Sequence, residues 1–291
     1  MGNINFTTPV EVKKRDIQLD YSSKILMLGS CFTTEAGKAM QDYRFDVMTN
    51  PLGTLYNPAS ILSSIKRMVS CTLFTPEEVI ETNPTDKRSP RKYASFWHHS
   101  SFARMSGEEF LENANAHLQL AHKRICECST VIITLGTAWI FQHCQSGLVV
   151  SNCHKRVAKE FSRQLLTVDE CTAILSEIAD LLPEKNIIFT VSPIRHFKDG
   201  AHGNQISKST LLLAVDNITS KVARCSYFPA YEIMMDELRD YRYYAEDMVH
   251  PSPLAVKYIF QKFTQAHISE ASIKQMDENL RLTKAENHIQ K

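Results

Sequence analysis

The chain has 291 residues, 43% hydrophobic and 22% charged, with 33 basic side chains against 32 acidic ones. A chain of this length and composition can bury a large apolar core without the help of disulfides or metals. Its net charge of +1 provides no field of one sign, so neither nucleic acid nor an anionic membrane surface is an expected partner.

The N-terminal MGNINFTTPVEVKKRD lacks the apolar segment of a secretory signal. No apolar run reaches the ~18 residues that a membrane helix requires, and a cytoplasmic location is the expectation. The first buried strand is predicted over Lys24–Gly29 (KILMLG), followed by a helix over Thr33–Tyr43 and a weaker strand over Arg44–Thr49. Two Asn-Pro turns enclose Gly53 in NPLGTLYNP (50–58), ahead of a helix over Ser60–Val69. Residues 70–105 fit no strand-helix repeat. Their TNPTDKRSPRKYASFWHHSSF is proline-punctuated and basic, then aromatic, and is expected to form a lid-like insertion.

A helix over Ser106–Glu127 opens with a capping box, Ser106 to Glu109, and one over Thr167–Leu182 with another, Thr167 to Glu170. Strands are predicted over Thr130–Gly136 and Asn186–Pro193, both rich in β-branched residues, and over Cys225–Pro229. Further helices are expected over Ser207–Arg224, Tyr231–Arg239 and Ser252–His267, the last with Ser252 as N-cap and Pro253 at its first position. A charged helical tail over Ser269–Lys291 closes the chain. Short apolar strands alternating with helices predict a parallel sheet covered on both faces, within one domain over residues 1–291.

Three segments carry residues suited to chemistry. Ser30 stands in the turn after the first strand, where ligands of open parallel sheets bind and where a helix N-terminus favours negative charge. It reads either as a helix N-cap or as a nucleophile. Asp247 precedes His250 by three residues, so its carboxylate can reach the imidazole and fix the tautomer that a serine nucleophile needs; a plain surface loop is the alternative. Gly53 can present a backbone N–H unobstructed by a Cβ, or serve only as a turn. The eight cysteines form no C-x-x-C pair, and they are read as small buried hydrophobes with no metal site. Cys31 is a second possible nucleophile beside Ser30; Ser30 is preferred because only one of two adjacent side chains can face His250.

Taken in order, GSCF (29–32), NPLGTLYNP (50–58), TLGTAWIF (134–141), NCHK (152–155), SPIRH (192–196) and DMVHPS (247–252) resemble the GSCFA domain family, within the SGNH/GDSL hydrolase group. The resemblance implies a three-layer α/β/α, flavodoxin-like fold and an esterase or deacylase acting through an acyl-serine intermediate, without cofactor or metal. It implies a triad of Ser30, Asp247 and His250, and an oxyanion hole from the backbone N–H groups of Ser30 and Gly53. A third donor, an asparagine in that group, has no counterpart in TLGTAW; Thr137 and Asn152 are the candidates to replace it. Arg195, His196, Trp97 and His154 are candidate substrate-binding residues, with a small-molecule or carbohydrate ester as partner. A non-catalytic binding protein on the same fold is the alternative. A nucleotide binder is disfavoured because GSCFTTEAG lacks the G-x-G-x-x-G spacing.

Overall fold

The computed structural model describes residues 7–15, 18–82 and 90–289. Five parallel strands form the central sheet: β1 (Ile25–Gly29), β2 (Val47–Thr49), β5 (Thr130–Leu135), β9 (Asn186–Val191) and β10 (Cys225–Tyr227), in the order β10-β9-β5-β1-β2. Ile25 pairs with Val47 on one side and Thr130 on the other, and Thr130 pairs with Asn186. Because all five run the same way, their carboxyl ends share one edge.

Side-chain alternation along these strands divides the core in two. Leu26, Leu28, Val131, Ile133, Ile187 and Phe189 pack with α2 (Pro58–Ser70), α3 (Gly107–Glu127), α4 (Val168–Leu181) and α5 (Gly200–Thr219). Ile25, Met27, Ile132 and Ile188 pack on the opposite face with α1 (Cys31–Asp42), α6 (Ala230–Glu232), α7 (Pro253–His267) and α8 (Glu270–Ile289). The fold is therefore a three-layer α/β/α sandwich. Helix starts follow the capping rules: Asn57, Ser106 and Ser252 accept from Ser60, Glu109 and Ala255 N–H groups, and Thr167 and Glu170 form a reciprocal box.

Several expected elements have different bounds. The strand expected from Arg44 begins only at Val47, because Arg44 sits left-handed (φ 67) and its N–H closes the end of α1 on the Gln41 carbonyl. α5 begins at Gly200, seven positions before the expected Ser207. The helix expected over Tyr231–Arg239 is one α-turn followed by a π-turn over Ile233–Glu237. An antiparallel sheet of β6 (Trp139–His143), β7 (Val149–Val150) and β8 (Phe161–Leu165), ordered β7-β6-β8, follows β5 and was not anticipated.

The insertion is packed down on α2 and α3. Its strands β3 (Ile80–Glu81) and β4 (Tyr93–Ala94) pair antiparallel, and Phe74 and Phe102 join the core beside Phe110 of α3. Part of the proline-punctuated stretch, 83–89, and the last two residues of the expected tail lie outside the described residues. Among the described residues, no helix is long and apolar enough to cross a membrane.

Candidate active site

The β1–α1 turn is shaped by Gly29, at φ +142, where a Cβ would lie 2.2 Å from the Thr134 carbonyl oxygen. Only glycine lets β1 pass β5 this closely. Ser30 takes the N-cap position but makes no side-chain cap bond. Its N–H donates to the Thr134 carbonyl at 3.2 Å, its side chain is wholly buried, and its Oγ has no partner among the described residues. Cys31 opens the helix, remains half-buried, and places its Sγ 3.2 Å from the Tyr56 hydroxyl.

The loop after β2 is tied to this turn. Asn50 Oδ1 accepts the Gly29 N–H at 2.9 Å, and the Gly53 N–H donates to the Asn50 carbonyl at 2.8 Å. The Gly53 donor expected for an oxyanion hole is thus engaged within its own turn. A Cβ on Gly53 (φ +89) would meet His99 of the insertion at 2.5 Å. Tyr56 is fixed at both ends, since its carbonyl accepts the Gly136 and Thr137 N–H groups at 2.8 and 2.9 Å. Burial, and then the adjacent Cys31, raise the Tyr56 pKa, so the phenol keeps its proton at neutral pH.

Across the same edge lies the loop before α7. Asp247 Oδ1 accepts the N–H groups of Val249 and His250, and Oδ2 lies 2.5 Å from His250 Nδ1. These hydrogen bonds, the His250 N–H first among them, hold the carboxyl down at about 2. An ionised carboxylate only accepts, so the proton of a neutral His250 ring sits on Nδ1 and the lone pair on Nε2. The Ala245 N–H to His250 carbonyl bond (2.7 Å) and the Ser252 N–H to Tyr243 carbonyl bond (2.8 Å) brace the loop.

His196 neighbours both Tyr56 and His250. Its ring is edge-on to Tyr56 at 5.9 Å, and its N–H donates to Asn204 Oδ1. Burial, with Lys208 and His250 nearby, brings its pKa down to about 4, so it is neutral at pH 7. Lys208, fully enclosed on α5, donates from Nζ to the carbonyls of Gly136 and Ser192 at 2.7 Å each. It thereby ties together the chain just beyond β5 and β9, and burial lowers its pKa to about 7. Thr137 and Ser207 share a hydroxyl contact at 3.0 Å, and Thr137 Oγ1 also accepts the Trp139 N–H.

The model of the GSCFA family matches residues 24–263. The chain belongs to the GSCFA family. Among solved structures, this GSCFA protein is similar to the Clostridium thermocellum family 3 carbohydrate esterase. Identity is 9% and the TM-score 0.40, over 88% of this chain and 98% of that one. It is also similar to an acetyl xylan esterase from the rumen bacterium Butyrivibrio proteoclasticus, with 11% identity and a TM-score of 0.40, over 84% of this chain and 63% of that one. No curated protein matches.

In this GSCFA protein a pocket of about 410 Å³ opens beside Asp247, lined among others by Arg195, Phe197, Tyr241, Tyr244 and Met248. The Arg195 guanidinium lies over Phe197 at 4.7 Å and makes no ion pair among the described residues. Trp97 and His154 are not among the residues lining that pocket. Trp97 packs against Phe74 and the Arg67 guanidinium, and the buried His154 joins its Nε2 to the Ser95 carbonyl at 2.8 Å, securing the insertion. Asn152 spends its Oδ1 on the His154 N–H. Two residues of the site went unread in the sequence, Tyr56 and Lys208. Lys208 had a signal: it shares the buried face of α5 with Asn204, Leu211 and Val215.

Proposed function

We propose that this GSCFA protein is a carboxylic ester hydrolase acting on an O-acylated small molecule or carbohydrate, through an acyl-enzyme formed at the β1–α1 turn. The observation that carries this reading is the Asp247–His250 pair, held at 2.5 Å in the tautomer a general base requires. It stands on the same sheet edge as the β1–α1 turn and beside a pocket whose Arg195 and tyrosines suit a polar ligand. In the sequence reading, Ser30 attacks the acyl carbon, His250 takes its proton and returns it to the departing alcohol, and water then releases the acid. Hydrolysis of p-nitrophenyl acetate by wild type and His250→Ala tests the reading. Loss of turnover in the variant supports it, and equal rates in both proteins sink it.

A second reading, a binding protein that keeps the pocket without catalysis, is favoured by the enclosed Ser30 Oγ and by the engaged N–H groups of Ser30 and Gly53. It expects acetylated sugars to raise the melting temperature with no hydrolysis.

A further inference from the structure

We propose that Cys31, and not Ser30, is the nucleophile of this site. The inference rests on the ester-hydrolase reading above and changes the atom that attacks. Three independent features of the β1–α1 turn converge on it.

The first is access. Ser30 has no exposed surface, and among the described residues its Oγ touches no hydrogen-bonding partner, an imidazole included. A serine hydroxyl is a weak nucleophile unless a base engages it, so an enclosed, unpartnered hydroxyl is poorly placed to attack. Cys31, one residue on, keeps part of its side chain accessible and directs its sulfur to the polar Tyr56 hydroxyl.

The second is the backbone. The Ser30 N–H is spent on the Thr134 carbonyl. Cys31 is the first residue of the twelve-residue α1. Its N–H belongs to the first turn, whose N–H groups have no intrahelical acceptor and can therefore serve a developing oxyanion. A nucleophile that also donates its own N–H to the oxyanion fits residue 31 and not residue 30.

The third is the side-chain donor. Tyr56 Oη lies 3.2 Å from Cys31 Sγ and is anchored through its carbonyl to Gly136 and Thr137, at the end of β5. The phenol can donate to the sulfur anion or to the oxyanion formed beside it. It supplies the side-chain donor that Thr137, committed to Ser207 and Trp139, does not.

The chemistry balances as follows. The Cys31 S–H proton passes to Nε2 of His250, the nitrogen that Asp247 leaves free, and the sulfur lone pair forms an S–C bond to the acyl carbon. The carbonyl π pair moves to oxygen, facing the Cys31 N–H and the Tyr56 O–H. As the carbonyl re-forms, the C–O bond to the alcohol breaks, and the leaving oxygen takes the proton from His250. Water then attacks the thioester, giving its proton to His250; the S–C bond breaks, the acid leaves, and His250 reprotonates the sulfur.

The test is to quench the wild-type protein during turnover of p-nitrophenyl acetate and locate the acyl group by peptide mass spectrometry. The expected result is an acetyl thioester on Cys31, released by neutral hydroxylamine. Cys31→Ala should lose turnover by about 100-fold or more, with unchanged circular dichroism. Iodoacetamide should alkylate Cys31 of the wild type in step with loss of activity, which reads the same point without any variant. An acetyl ester on Ser30, or Cys31→Ala turning over at the wild-type rate, overturns the proposal while leaving the hydrolase reading in place. A wild-type protein that does not hydrolyse esters overturns both.

Discussion

The carboxylate of Asp247 holds His250 by two bonds at once, one to its backbone N–H at 2.9 Å and one to its ring Nδ1 at 2.5 Å. One side chain therefore sets both the loop and the tautomer. Asp247→Asn offers an amide where the ring requires an acceptor, so the ring can turn over or change tautomer. Turnover should fall by about 10²–10⁴, mainly in kcat, as expected where the orienting partner of a catalytic histidine is lost. Steady-state kinetics on p-nitrophenyl acetate check this, and a rise in KM with kcat unchanged would show that Asp247 serves the pocket instead.

The interior histidines make acid the vulnerable side of the stability profile. His98 is fully enclosed among Phe74, Phe102 and Phe110, and burial brings its pKa to about 3; His196 is brought to about 4. Unfolding returns both toward 6.5. Between these values the unfolded chain binds more protons, so stability is complete above pH 6.5 and is lost as pH falls toward 4 and 3. At pH 4.5 the His98 contribution alone is about 2–3 kcal/mol, two pH units at ~1.4 kcal/mol each. Urea midpoints at pH 7 and 4.5 should differ accordingly, and less so in His98→Asn once each variant is referred to its own pH 7 value.

Lys208 extends the same logic to the alkaline side, since burial disfavours its charged form too. A neutral amine has two N–H groups, and the two carbonyls of Gly136 and Ser192 match that number. Its folded pKa of about 7 lies below the ordinary 10.5. From pH 7 to 10.5 the unfolded chain binds the extra proton, and this residue's contribution to stability rises with pH across that window. Lys208→Met should remove the rise, and it should destabilise by roughly 2–4 kcal/mol at pH 9 through two carbonyls left without donors. Urea unfolding of both proteins at pH 7 and pH 9 reads the difference; parallel changes in the two would place the titration elsewhere.

Much of this architecture was legible because buried parallel strands are nearly continuous apolar runs. KILMLG, TVIITL and NIIFTV each became β1, β5 and β9 within one or two residues of the expected bounds. The Asp247–His250 pair was legible because a three-residue spacing lets one carboxylate close its own loop. What sequence spacing does not carry is which of two adjacent side chains faces inward, and it is Ser30 that the turn turns away from solvent. Nor does local pattern reveal β6 pairing with β8, because Phe161–Leu165 (FSRQL) alternates weakly and its partner lies about twenty residues away. Of the aromatic cluster in the insertion, the fully buried ring is His98, with Trp97 lying along its margin against Arg67.

Gly29 makes the sharpest demand on the sequence at the site. Its φ of +142 lies outside the range that L side chains adopt comfortably, and a Cβ there would stand 2.2 Å from the Thr134 carbonyl oxygen. That oxygen cannot retreat cheaply, since Thr134 pairs with Thr190 in the next strand and accepts the Ser30 N–H. Gly29→Ala must therefore push β1 and β5 apart where they deliver the turn, at a cost of about 3 kcal/mol or more from strain and overpacking together. The same displacement moves the start of α1, and with it Ser30 and Cys31, relative to His250. A shift of about 1 Å at a reacting group can cost on the order of 100-fold in rate. The expected outcome is a variant that loses ester turnover well below its own melting temperature, with circular dichroism still native. Wild-type kinetics in Gly29→Ala would mean that the β1–α1 turn does not hold the nucleophile at all.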